Sequence, residues 1–300
     1  MTRLRNVGLF VALSALWGFS FPAISAGLDS IPPLLFAAFR YDFGGALLLG
    51  YLVVRGAEWR PKTNSDWIAI VVAGAFFIAG NSLLFVGQQT VPGGVASILY
   101  GLIPILTAGF AALLLPSEPI TTRRLVGVAL GFFGVAVIAR PDPSNVAAAE
   151  VVGIGFIIVA GASVALGSVL LRRLSPTLGI SVLTAWAMLV GGGMLHAGSF
   201  AIGERFGDIT PTLVGVASVL YLAVLASAVA YVIYFVLLRE FGPLEINLVS
   251  YVVPVFGTVG GIALLGEELS TAMVLGFVLI SGGFVVIKGR TIAAELTQWA

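Results

Sequence analysis

Few side chains of this chain could do chemistry, and most of those stand inside long apolar runs. Arg40 in FAAFRYDF, Asp42 two residues later and His196, the single histidine, are the ionisable candidates. A guanidinium inside an apolar helix costs about 2.5–3.5 kcal/mol on insertion scales, so it faces protein or a water-filled cavity. Arg40 reads either as an anchor for a carboxylate or another anionic group, or as a side chain that snorkels or pairs with helix-end carbonyls. Asp42 stands two residues on, roughly 200° around a helix, so it does not share a face with Arg40. It is a candidate for coupling to protons or for a helix–helix hydrogen bond. His196 offers a titrating role in such coupling, or an interfacial bond to a neighbour's backbone.

Uncharged polar groups extend this set. Asn81, Tyr100 and Tyr231 have hydrogen-bonding capacity that lipid cannot satisfy, so each is expected to face the bundle and line a path through it. Trp17, Trp186 and Tyr251 are candidates for an apolar wall along the same path, with packing or interfacial anchoring as the alternative. Pro104 and Pro254 each remove a backbone hydrogen bond near mid-span and are read as hinge and cavity markers, against simple packing kinks. Glu118 and Glu267 occupy equivalent turns and are expected to brace the turn into the next helix. Glu245 and Asn247 are expected to cap a helix start. Gly127, Gly131 and Gly134, with Gly257, Gly261, Gly276 and Gly283, are expected to bring helices close, within one bundle or across a dimer face. With no cysteine, thiolate chemistry and cysteine metal sites are excluded, and the one histidine stands alone where a hydrolytic metal centre needs several His or acidic ligands, so no metal is expected. No cofactor is expected.

The elements that carry these residues are long. Apolar runs cover about 7–26, 33–54, 67–88, 93–115, 122–140, 151–171, 180–202, 212–236, 244–265 and 271–288. At about 1.5 Å rise per residue, each can cross roughly 30 Å of hydrocarbon as an α-helix. The chain is 59% hydrophobic and 10% charged, too apolar for a soluble core of this length. Its net charge of +1 leaves no footprint for nucleic acid. The first run follows Arg3 and Arg5 as a signal peptide would, but its length favours a retained helix. Counting ten crossings puts Arg3, Arg5, Arg55, Arg60, Lys62, Arg123, Arg124, Arg172, Arg173, Arg239, Lys288 and Arg290 on one side. Only Arg140 and Arg205 fall on the other. Short basic connections stay cytoplasmic, so both termini are expected inside.

A repeat relates the halves. A shift of 150 residues places Phe85 on Phe235 and Pro104 on Pro254; after one lost residue, Glu118 falls on Glu267, Gly127 on Gly276 and Gly134 on Gly283. Five crossings per half is odd, so the second half enters from the opposite face. The expected architecture is all-α and polytopic: ten transmembrane helices as two inverted five-helix repeats. The first repeat is 1–141, an extracytoplasmic linker 142–150, the second repeat 151–290 and a cytoplasmic tail 291–300. Inverted repeats with midplane breaks are the plan of secondary transporters, with substrate bound between the repeats.

At these residues the chain resembles the EamA-type transporters of the drug/metabolite transporter superfamily. The resemblance rests on Trp17–Gly18 in LSALWGFSFP, the Arg of FAAFRYDF, ASILYGLIPILTAGFAALLLPSEPIT from Ala96 and INLVSYVVPVFGTVGGIALLGEELS from Ile246. The first half departs from the pattern, reading Pro116–Ser117 where the second has Leu265–Gly266. It implies a permease of a prokaryotic cytoplasmic membrane that exports small metabolites, amino acids or drugs by alternating access. The partners expected are the lipid bilayer, a small-molecule substrate and a coupling proton, with the chain a monomer or homodimer. A channel-like pore is the competing reading. An intramembrane enzyme lacks its motifs, having neither a Gly-x-Gly-Asp partner for Asp42 nor a Gly-x-Ser-Gly, so no enzymatic activity is expected.

Overall fold

The computed structural model describes residues 2–115, 121–139, 149–174, 176–241 and 249–298, which are helical with short connections and no strand among them. Glu118, Glu245, Asn247, Arg140 and most of the 142–150 linker lie outside the described residues.

Among the described residues the helices form ten rods in chain order. α1 is Thr2–Gly18 continued by Ser20–Leu28, and α2 is Pro33–Val54. α3 runs Asn64–Ala73, then a π-helical Gly74–Ala79, a 3₁₀ turn Gly80–Ser82 and Leu83–Gly87. α4 is Gly93–Leu99, a 3₁₀ turn Tyr100–Leu102 and Ile103–Leu114. α5 is Thr122–Ala139, α6 Ala149–Leu174 and α7 Ile180–Ala201. α8 runs Leu213–Leu220, a π-helical Tyr221–Val229 and Ala230–Phe241. α9 is Val249–Leu265 and α10 Thr271–Gln298. Seven rods, α1–α4 and α6–α8, are long and apolar enough to cross a membrane, and α5, α9 and α10 hold shorter apolar stretches. α10 stays helical well beyond the expected end of its apolar run.

Local chemistry sets the boundaries. Pro33 opens α2, where its missing N–H is no loss. Gly56, Gly203 and Gly266 adopt φ of +69°, +91° and +68° just past the ends of α2, α7 and α9, the left-handed turn that frees a chain from a helix. Thr63 and Asp66 form a reciprocal capping box at the start of α3.

The breaks are distributed differently from the expectation built on proline. Pro104 restarts a helix after the Tyr100–Leu102 turn, but Pro254 lies inside an unbroken helix, five residues after its described start. There it removes one hydrogen bond of the ladder without ending the helix. α1 breaks at Phe19, where Pro22 lacks the N–H that would reach the Gly18 carbonyl. The two π segments carry no proline. With the 150-residue offset, Gly74–Ala79 falls on residues 224–229, inside the second π segment. In each, a carbonyl accepts from another rod: Phe76 O from Ser163 Oγ of α6 at 3.0 Å, and Ala226 O from Trp17 Nε1 of α1 at 3.2 Å. Residues 76 and 226 are themselves one offset apart, as are 17 and 167. Gly167 packs where its Cβ would meet that of Phe76 at 2.7 Å, so of two equivalent contacts between the halves one is Trp on Ala and the other Gly on Phe.

Small residues bring the rods together. A Cβ on Gly127 of α5 would lie 2.5 Å from the carbonyl of Gly283 on α10, and one on Gly283 would lie 2.5 Å from that of Gly127. Gly134 and Gly276 repeat the arrangement at 2.9 and 3.0 Å. Because Gly127 aligns with Gly276 and Gly134 with Gly283, the seam has the reciprocity that a two-fold axis produces. It is internal to the chain, so these glycines form no outward face. Gly131 packs on Leu102 and Ile105, Gly257 on Ser97 and Gly18, and Gly261 on the Glu267 carboxylate.

Candidate functional site

The breaks in the rods converge on one polar network. Arg40 sits on α2 one turn before Gly44, which lets α2 approach Ser227 of α8 so that a Cβ at Gly44 would lie 2.9 Å from that of Ser227. The Arg40 Nε donates to Ser227 Oγ at 3.2 Å, and its guanidinium carbon lies 5.0 Å from the centre of the Tyr41 ring. Asn81, in the 3₁₀ turn of α3, donates from Nδ2 to Tyr41 Oη at 3.3 Å and accepts from Tyr100 Oη at 2.6 Å. Tyr100 stands at the break in α4. The chain Arg40–Tyr41–Asn81–Tyr100 thus joins α2, α3 and α4, and Ser227 ties it to the π segment of α8.

Arg40 is 8% exposed and pairs with no carboxylate among the described residues. A buried cation without a counter-ion is costly, and among the described residues a hydroxyl and a ring face relieve it. The sixth residue of the network, Trp17, donates to Ala226 O beside Ser227, and its ring meets Tyr231 and Tyr234 at 5.7 Å each. Tyr221 of the same π segment donates to Leu16 O at 2.9 Å. Trp17, Arg40, Asn81, Tyr100 and Tyr231 are therefore gathered in one region.

The remaining candidates lie elsewhere. Trp186 donates to Trp59 O at 2.8 Å and contacts the rings of Trp59 and Trp67, at the end of α7 that meets the α2–α3 connection. Asp66 binds there too, accepting from Thr177 Oγ1 at 2.8 Å. Tyr251 packs against Phe284 of α10 at 4.5 Å, with its hydroxyl buried and without a hydrogen-bond partner among the described residues. Asp42 and His196 form their own pair at 2.7 Å between α2 and α7. His196 thus finds a carboxylate where a backbone partner was the blander expectation.

Two carboxylates also act on helix starts far from their own places in the chain. Glu267 accepts from Gly93 N at 2.8 Å and Gly94 N at 2.9 Å, so it holds the start of α4 and not the turn into its own next helix. Glu204 accepts from Leu34 N at 3.1 Å and Leu35 N at 3.0 Å, and from Ser199 Oγ at 2.7 Å, holding the start of α2. Each neutralises the unpaired N–H groups of a helix that opens after proline. Beside Glu204 opens a polar cavity of about 550 Å³ lined by Asp29, Ser30, Gln89, Asp208 and Thr210 among others. It is separate from the Arg40 network. Ser227 and Tyr41 also escaped the sequence reading. Nothing in a run of Ala, Val and Ser signals that one hydroxyl meets a guanidinium 187 residues away.

The EamA-like transporter family matches this chain twice, over residues 5–140 and 151–289. The chain belongs to that family. EamA-like relatives span nearly its whole length. The inner membrane transporter YedA of Escherichia coli (strain K12) is 30% identical over 97% of this chain and 95% of its own. A protein of Chlamydia muridarum (strain MoPn / Nigg) described as an S-adenosylmethionine/S-adenosylhomocysteine transporter is 26% identical over 93% of this chain and 89% of its own. A solved crystal structure superposes with a TM-score of 0.67 at 21% identity, covering 97% of this chain and 98% of the other. That likeness concerns the fold. This EamA-like protein is a multi-pass transporter of the plasma membrane and not an enzyme.

Proposed function

We propose that the chain is a secondary carrier that exports small organic solutes bearing an anionic group, by alternating access between two inverted five-helix repeats. The ten rods then all cross the membrane, with both termini in the cytoplasm. The α1–α2, α3–α4, α7–α8 and α9–α10 turns face outward. The family match in two parts, the reciprocal glycine seam of α5 and α10 and the paired π segments of α3 and α8 all support two related halves. Breaks at membrane depth belong where backbone faces protein or water, which favours a path through the Arg40 region.

One observation carries the substrate reading: a buried guanidinium, oriented by Ser227 through Nε, that has no carboxylate partner among the described residues. Such a group suits a substrate carboxylate, which it can grip through its remaining N–H donors. Amino-acid-derived metabolites fit this class, as do the two compounds for which the Chlamydia relative is named.

The test is counterflow in proteoliposomes with a panel of amino-acid metabolites and their amides. Carboxylates should accumulate with trans-stimulation, which a channel would not display. Arg40→Gln should raise KM for carboxylates about 10- to 150-fold, the value of a hydrogen-bonded charged contact of about 1.5–3 kcal/mol. Unchanged KM, or equal handling of acids and amides by the wild type, refutes the anchor.

A further inference from the structure

A second ionisable site lies on the perimeter of the bundle, on the far side of α2 from the Arg40–Ser227 contact. Asp42 Oδ2 and His196 Nε2 are 2.7 Å apart, and their side chains remain 35% and 25% exposed. Gly192 makes room for the pair, since a Cβ there would run into the Asp42 carboxylate. Phenyl rings fence the open side. Phe39 meets the imidazole edge-on at 5.9 Å and Phe206 lies 6.2 Å from it. Phe43 stacks on Phe39, and Phe200 meets Phe206 at 5.4 Å. Phe43, Phe200 and Phe206 are each about half exposed, at 53%, 51% and 52%. At about 1.5 Å per residue, the pair lies roughly 8–14 Å below the helix ends at Pro33 and Ala201. This is the depth of acyl chains, where ionisable groups are costly and usually functional.

We propose that this is a binding site for an amphipathic organic ammonium, reached sideways from the outer leaflet. A carboxylate supplies the counter-ion and repels anions. Ring faces supply cation–π attraction, the known means of holding quaternary ammonium groups. An acyl chain alone would need no ionisable pair. On the proposed topology the described outward turns carry Asp29, Glu204, Asp208, Glu267 and Glu268, with Glu150 in the first turn of α6, against one described base, Arg205, a field that draws cations to this face. Among the described residues, His196 is the one basic side chain paired with Asp42. Arg40 is directed at Ser227, Glu204 at the α2 amides, and Asp208 accepts from Arg205 N at 2.8 Å. The His196 imidazole occupies the place beside Asp42 that an arriving ammonium would take, so the two compete for one carboxylate. Any proton the imidazole gives up on binding passes to water, which conserves total charge.

The experiment is titration calorimetry of the full-length protein in nanodiscs of zwitterionic lipid, with benzyltrimethylammonium and its uncharged carbon isostere neopentylbenzene. The cation should bind saturably and the isostere should not. Affinity should rise by up to about tenfold per pH unit while one proton is displaced. Asp42→Asn, which keeps shape and a hydrogen bond to His196, should weaken binding at least tenfold, and His196→Gln should flatten the pH dependence. Phe206→Leu, in the exposed α7–α8 connection, should weaken binding several-fold and serves if the Asp42 variant does not fold. Equal binding of the isostere, no saturable heat at any pH, or affinity unchanged by both Asp42→Asn and Phe206→Leu overturns the assignment.

Discussion

Replacing Glu267 by Gln should open the outward face of the carrier. The carboxylate accepts from two consecutive backbone amides of α4, at 2.8 and 2.9 Å. An amide retains one acceptor and turns an NH₂ group towards the second N–H, so one charge-assisted bond is lost outright. Such a bond contributes about 1.5–3 kcal/mol, before any loss of favourable charge at the helix start. If α4 and the α9–α10 turn separate as the outward face opens, the substitution shifts that equilibrium about 10- to 150-fold. The chain has no cysteine, so a single introduced thiol reports without background. Ser97 is fully buried on the outer half of α4, against Gly257. Ser97→Cys should react with an impermeant maleimide at least about tenfold faster in the Glu267→Gln background. General unfolding would raise labelling everywhere, and Ala69→Cys, fully buried in α3 towards the other end, controls for it. Equal rates at Ser97→Cys in both backgrounds would show that this carboxylate does not restrain opening.

Further expectations follow from packing and hydrogen bonding. Gly283→Val should lower the melting temperature in detergent through overpacking of about 1–3 kcal/mol, because its Cβ would lie 2.5 Å from the Gly127 carbonyl; Gly127→Val should do the same, and a silent result at either position would contradict the reciprocal seam. Tyr100→Phe should leave Asn81 Oδ1 without its 2.6 Å donor and cost about 1–3 kcal/mol, read as a lower melting temperature with slower counterflow; wild-type stability would mean that water replaces the hydroxyl.

Much of this arrangement could be read from the order of residues. Apolar runs separated by Pro, Gly and charge announce helices, because backbone punctuation is local chemistry. The placement of Arg40 and Asp42 on opposite sides of α2 followed from helical angle alone. Other features depend on distant partners. The π segments contain no proline, and Tyr221–Val229 contains no glycine either, so helical propensity gave no warning. Asp42 and His196 were each legible as ionisable groups at similar depth, but their union needs α2 and α7 packed side by side. Trp186 reads as a path residue in a linear view. Its two tryptophan neighbours come from the α2–α3 connection and the start of α3, more than a hundred residues earlier. Glu267 was read against its nearest helix, whereas its strongest partners are amides 173 and 174 residues away.

The exchange of bulk between Trp17 against Ala226 and Gly167 against Phe76 has a bearing on how such a protein diversifies. In a pair of identical subunits, every substitution lands on both sides of the axis, so an indole beside one π turn would have to appear beside the other. A covalently joined chain is free of that obligation. It can enlarge one flank and hollow out its counterpart, keeping total volume while giving the two flanks unequal chemistry. Here Trp17 and Arg40 both meet the π segment of α8, so a path through this region, as proposed above, would be lopsided and would tell one end of a cargo molecule from the other.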